Sequence, residues 1–204
     1  MSELRIPPRP RADWDETVLH ALSMLAPQSA AGSGSAEQAQ RTGQTDDRPP
    51  SNIVGVFAWH PELTQSFFTF NRHLFRSTLS GRLRELAIVR TGWVRRAEYE
   101  WAQHVRIARG LGVSDAEIEA ISEGPDSELW GPLEAAVLRA VDEMCEERYV
   151  SDDTWEQLSA DLDRHQLMDL VFTVGAYDLL AMAMTTFGLE LDPDMAGFPT
   201  QSSP

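Results

Sequence analysis

The sequence predicts an all-α protein, and three features predict it. From Ile53 to about Leu191 apolar residues recur at helical spacing, without strand-like alternation or an internal repeat. Residues that start and stop helices punctuate that stretch. Its last segment, HQLMDLVFTVGAYDLLAMAMTTFG, is apolar nearly all round, as expected of a helix that lies centrally or is buried by a partner subunit. In chain order, residues 13–25 read as a short amphipathic helix, with Asp13 as N-cap before the Trp14, Val18, Leu19, Leu22 stripe. Residues 27–52 contain no Ile, Leu, Val, Met or aromatic side chain, so they cannot offset their own ordering entropy and read as a flexible polar linker. Helices are then expected at 62–77, 81–95, 97–109, 115–122, 132–148, 152–160 and 164–187. Ser114 with Glu117 forms a capping box, Gly110 suits a C-terminal cap, Pro132 a first turn, and Ser151 an N-cap. The organisation expected is a leader with a short helix (1–26), the linker (27–52), a helical domain (53–192) and an irregular tail (193–204).

Composition narrows the chemistry. The 204 residues carry 17 basic and 32 acidic side chains, a net charge of 17 − 32 = −15, and all the basic ones are arginine. Without lysine there is no Schiff-base chemistry, no pyridoxal anchor and no P-loop lysine. The single cysteine, Cys145, cannot form an intrachain disulfide, a dithiol redox centre or a multi-cysteine zinc site. So acidic a chain repels phosphate backbones and anionic lipid, so neither nucleic acid nor membrane is an expected partner. The N-terminus shows no secretory signal and no stretch reads as a membrane span, which places the protein in the cytoplasm. Charge is uneven along the chain. Residues 71–109 hold nine Arg against three Glu, and residues 110–169 hold three Arg against 17 acidic residues. These regions can pair within the fold or across a subunit interface, and the basic one can receive an anionic substrate.

The stretch richest in chemistry is residues 84–112, RELAIVRTGWVRRAEYEWAQHVRIARGLG. Glu100 and His104, four apart, share a helix face, so the carboxylate can hold the imidazole in one tautomer. Trp101, Val105 and Ala108 form an adjoining stripe that can serve as the dry wall of a pocket and raise carboxyl pKa values toward neutrality. The competing structural readings are an ordinary i, i+4 pair for Glu100 and His104, a buried ion pair to Arg82, Arg84 or Arg90 for Glu85, and packing for Tyr99. His73, in the preceding helix, can face the same cavity or be structural. Glu85, Glu100, His104 and His73 together could make a two-His, two-carboxylate metal site, but the helical zinc signature is lacking and no metal is assigned. Tyr177, Met182, Met184 and Phe187 suit either core or the floor of a substrate pocket.

These residues resemble the carboxymuconolactone decarboxylase-like family, related to the alkylhydroperoxidase-D-like proteins. The likeness lies in the run REL…IVRTGW…EYEWAQHVRIARGLGVSDAEIEAI and the later FTVGAYDLLAMAMTTFGLELD, with the leader-like RIPPRPRADWDE ahead of them. It implies an alkylhydroperoxidase-D-like helical bundle that assembles with itself as a dimer, trimer or hexamer. Redox members carry Glu, eleven residues, Cys, two residues, Cys, three residues and His. In that spacing Glu85 and His104 match, whereas the cysteine positions hold Ala97 and Glu100. The resemblance therefore implies a cofactor-independent acid/base enzyme of decarboxylase, isomerase, dehydratase or cyclase type. Its substrate would be a small organic molecule bearing a carbonyl or carboxylate. In this reading His104 moves a proton, Glu100 and Glu85 orient and balance it, and Arg90, Arg95 or Arg96 receives the developing anion, with Tyr99, His73 and Tyr177 also lining the substrate site. Two rival readings are a peroxidase using Cys145 or an external thiol, and a non-catalytic oligomeric ligand-binding protein.

Overall fold

The computed structural model describes residues 4–23 and 51–199, and every regular element among them is helical. Residues 24–50, which include nearly all of the expected linker, lie outside the described residues. The linker's expected last residue, Asn52, already opens a helix. The chain divides into two compact units, Pro7–Arg72 and His73–Pro204 with Met1–Ile6.

In the unit of residues 7–72, α1 (Glu16–Leu22) begins two residues later than the sequence suggests, and its N-cap is Asp15, which accepts from the Val18 N–H at 2.9 Å. Asp13 cannot serve, because it closes a 3₁₀ turn, Arg11–Asp13, and its carbonyl accepts from the Arg9 guanidinium. A six-residue helix, α2 (Asn52–Phe57), has too few turns to show periodicity and is invisible in the sequence. Against it the leader is fastened by Arg9, which donates its backbone N–H to the Gly55 carbonyl (2.9 Å) and its guanidinium to that of Ala58 (3.2 Å). Gly55 is required here, since a Cβ would stand 2.6 Å from that of Pro8. Val18, Leu22, Ala58 and Phe68, the last on α3 (Pro61–Phe75), form this unit's apolar cluster.

In the larger unit the helices are α4 (Gly81–Val94), α5 (Glu98–Gly110), α6 (Asp115–Glu123), α7 (Pro132–Glu146), α8 (Asp152–Asp161) and α9 (Arg164–Phe187). These bounds agree with the sequence to within about two residues. The expected caps form at Ser114, Pro132 and Ser151. Gly110 is still helical, and the left-handed residue that ends the turn is Gly112, at φ 87°. The central helix is α4, not α9: every residue from Leu83 to Gly92 is buried, with α5, α7 and α9 packed around it. Helix α9 packs one side into the core and leaves Met168, Val171, Phe172, Leu179 and Met182 exposed. Contrary to the sequence expectation, α9 is long and apolar enough to cross a membrane. More than half of that apolar window, 56%, is buried against the rest of the chain.

The charge asymmetry is used within the fold. Arg82 bridges Glu134 on α7 (2.7 Å) and Glu117 on α6, and this pairing, after the hydrogen bonds from Ser114, helps to hold the Glu117 carboxyl down at about 2. The described part of the tail, residues 193–199, has no regular structure, yet it is docked. Phe198 packs on Trp93 and Trp101, with ring centroids 5.2 and 5.6 Å away, and its N–H donates to Glu98.

Candidate functional site

The site is set by the turn between α4 and α5. Arg96 adopts a left-handed backbone at φ 56°, and the Ala97 N–H donates back to the Gly92 carbonyl at 2.9 Å. A Cβ on Gly92 would lie 3.1 Å from the Trp101 nitrogen, so glycine lets the two helices run close together. The reversal brings Glu85, near the middle of α4, against His104 of α5. The Glu85 Oε2 lies 2.7 Å from His104 Nδ1, and its other oxygen accepts from Arg84 Nε at 3.0 Å. Glu85 is fully buried. Of the two expected orienting carboxylates, Glu85 makes this contact and Glu100 does not. Tyr177 of α9 meets the His104 ring edge-on at 4.8 Å.

Glu100 has a different part. It is 1% exposed, and neither carboxylate oxygen has a hydrogen-bond partner in the chain. Burial, and then the nearby charge of Asp178, push its pKa well above the ordinary carboxylate range, which favours the protonated acid. A partnerless carboxyl inside a protein is costly unless it serves a purpose, and such groups mark functional sites. Glu100 and His104 therefore place a buried, unpartnered carboxyl and a carboxylate-held imidazole one helical turn apart.

The other expected residues divide. Arg90 lies away from the site: its guanidinium is closed on Asp142 by two bonds (2.7 and 2.9 Å) and donates to the Ile121 carbonyl, tying α4 to α6 and α7. Arg95 is held by Asp178 at 2.5 Å, beside Glu100's electrostatic neighbour. Arg96 is exposed, with its guanidinium over Trp93, and helps to line a cavity of about 690 Å³ at the N-terminal end of α5. Tyr99 lines that cavity too, while its hydroxyl donates to Asp192 at 3.0 Å. His73 is exposed and pairs with Asp169 at 3.2 Å; that carboxylate also accepts two bonds from Thr78, so His73 belongs to a loop closure. Trp101, Val105 and Ala108 enter the hydrophobic core, and Trp101 and Val105 also line a cavity of about 470 Å³. Among the described residues no three His, Cys, Asp or Glu side chains converge as metal ligands. Burial pushes the Cys145 thiol up to about 11, which leaves little thiolate at neutral pH for a peroxidase nucleophile.

Two members of the site are not singled out by sequence reasoning. Arg84 stands there only as one of three candidate partners for Glu85. Asp178 had a signal that went unread: it is the one acidic residue in the apolar run from Leu170 to Phe187, and a lone buried-side charge in such a run needs a cation.

Residues 61–143, which contain α4, the α4–α5 turn and all of α5, match the family model described as the carboxymuconolactone decarboxylase family. That segment is similar to the family, and the likeness covers 83 of the 204 residues. The fold is similar to those of solved AhpD-like structures. An alkylhydroperoxidase AhpD core, an uncharacterized peroxidase-related protein from Ralstonia eutropha, is 16% identical with a TM-score of 0.72 and 95% of each chain covered. The debrominase Bmp8, solved as a variant with 2,3,4-tribromopyrrole, is 14% identical with a TM-score of 0.70, over 95% of this chain and 94% of that one. A protein of unknown function from Agrobacterium tumefaciens is 20% identical with a TM-score of 0.64, over 68% of this chain and 96% of that one. No curated protein matches the sequence. Against the redox pattern the chain departs at both thiol positions, which hold Ala97 and Glu100, so a carboxylic acid stands in place of the second thiol.

Proposed function

We propose that this protein is a cofactor-independent acid/base enzyme acting on a small organic substrate that carries a carbonyl or carboxylate. The observation that carries the reading is the buried, partnerless Glu100 one turn from the Glu85-held His104. Enol chemistry needs such a pair: a base to take a proton from carbon, or to attend the loss of carbon dioxide, and an acid to protonate the enolate oxygen or carbon that results. With Nδ1 turned to Glu85, His104 reacts through Nε2. Glu100 donates, and Arg96 at the mouth of the cavity draws an anionic substrate toward the α5 N-terminus, whose backbone dipole favours negative charge. Support for a small cyclic substrate comes from the debrominase of similar fold and the tribromopyrrole bound to it. Decarboxylation, lactone isomerisation, dehydration and cyclisation all use this machinery, and the substrate decides among them.

His104→Ala is expected to lower turnover of a responsive substrate by about 10²–10⁴-fold. The variant should lose about 1–3 kcal/mol of stability, because it leaves a buried Glu85 oxygen unpaired, and should still fold. Turnover equal to wild type in the folded variant removes the role.

The reading includes a cytoplasmic homo-oligomer. On α9 the exposed Met168, Val171, Phe172, Leu179 and Met182 recur at three- and four-residue steps, forming one apolar stripe around Gly175. Such a contiguous stripe suits burial against another copy, and glycine permits close helix approach. Light scattering is expected to return the mass of a dimer, trimer or hexamer, and Met182→Glu to lower it. A wild-type monomer at micromolar concentration contradicts the assembly.

A further inference from the structure

Arg84 stands outside the acid/base pair, yet it is built into it. Its side chain is 10% exposed, and it is held by three contacts: Nε to Glu85 (3.0 Å), Nη1 to the Phe75 carbonyl (3.2 Å), and its guanidinium carbon 5.0 Å from the Phe75 ring centroid. Glu85 therefore divides its two oxygens, one to Arg84 and one to His104. The consequence is a matter of charge. A fully buried Glu85 carboxylate facing His104 alone would form a neutral pair only if the imidazole took a second proton, which would remove its basic nitrogen. With Arg84 in place, the Arg84–Glu85 pair is already neutral, and a charged imidazole would leave an excess buried positive charge. The other ionisable groups near the ring do not oppose this balance: burial without a partner pushes the Glu100 pKa up and so disfavours its charge, Tyr177 meets the ring edge-on, and Asp178 is paired with Arg95.

We propose that Arg84 is a positioning residue that keeps His104 a neutral base with its proton on Nδ1, so that Nε2 faces the substrate as an acceptor. This rests on the acid/base reading for its purpose but not for its test. Without Arg84, the uncompensated Glu85 either drives His104 to imidazolium or takes a proton itself and donates it to Nδ1. In both cases Nε2 carries a hydrogen and the base is lost.

The test is the ¹⁵N NMR signature of His104 in the full chain at neutral pH, with no substrate present. Wild type is expected to show a neutral ring protonated on Nδ1. Arg84→Gln is expected to lose that pattern, and Arg84→Lys, which keeps the charge, to retain it. A doubly protonated ring in the wild type, or an unchanged pattern in Arg84→Gln, overturns the proposal. If Arg84→Gln does not fold, Arg84→Lys decides: retention supports the charge argument and loss contradicts it. A merely structural arginine would lower stability in either variant without changing the ring's protonation pattern. Because no turnover is measured, failure here leaves the His104→Ala result standing, and failure of that result leaves this one.

Discussion

Glu85→Gln is expected to destabilise the fold by about 3–5 kcal/mol at neutral pH, the largest effect of any single substitution considered. Glu85 has no solvent contact and answers two cationic or donating partners at once, Arg84 and His104. Glutamine has nearly the same shape, so the loss is not one of packing. It leaves Arg84, 90% buried, with a positive charge that no other side chain neutralises at that position. The amide also presents an N–H toward one of two donors. Urea denaturation at pH 7 measures this. A change under 1 kcal/mol would mean that Arg84 finds water or another anion, and that the triad is not the closed unit described.

The second large effect concerns Glu100→Gln, and its sign is opposite. In the unfolded chain Glu100 ionises around its ordinary 4.5, whereas in the fold burial and Asp178 keep the proton on well above that. Above pH 4.5 the unfolded state thus binds fewer protons than the folded state, and stability falls as pH rises until the folded group also ionises. The slope is up to about 1.4 kcal/mol per pH unit. Glutamine imitates the neutral acid and has no such slope. The variant should match the wild type near pH 4 and become increasingly the more stable of the two toward pH 8, while turnover falls by about 10²–10⁴-fold because an amide cannot donate a proton to an enolate. Melts at pH 4, 6 and 8 check this. A stability difference independent of pH would show that Glu100 ionises in the fold as it does in water.

Much of the fold is legible in the sequence because helices announce themselves locally. Ser114 and Glu117, Pro132 and Ser151 each act within one turn, and each is found in its expected place. What the sequence hides is tertiary. Helix α9 is apolar nearly all round and α4 carries four charged residues, yet packing encloses α4 while α9 keeps an exposed face. Arg90 looked like an anion receptor in a basic stretch, but its partner Asp142 comes from 52 residues along the chain. The site shows the same division. Glu85, Glu100 and His104 are all visible in the sequence, and the i, i+4 spacing suggests the wrong pairing, since a cross-helix contact outranks it. The neutrality of Glu100 depends on its having no partner, which only the packed structure reveals.

The central claim is that a protonated carboxylic acid waits beside a carboxylate-held imidazole. Infrared spectroscopy reads this most directly, by comparing the wild type with Glu100→Gln at neutral pH in glutamate-labelled protein. The account predicts a carbonyl band of a protonated, weakly hydrogen-bonded carboxylic acid in the wild type that disappears in the variant. A difference spectrum containing only ionised carboxylate bands would contradict it.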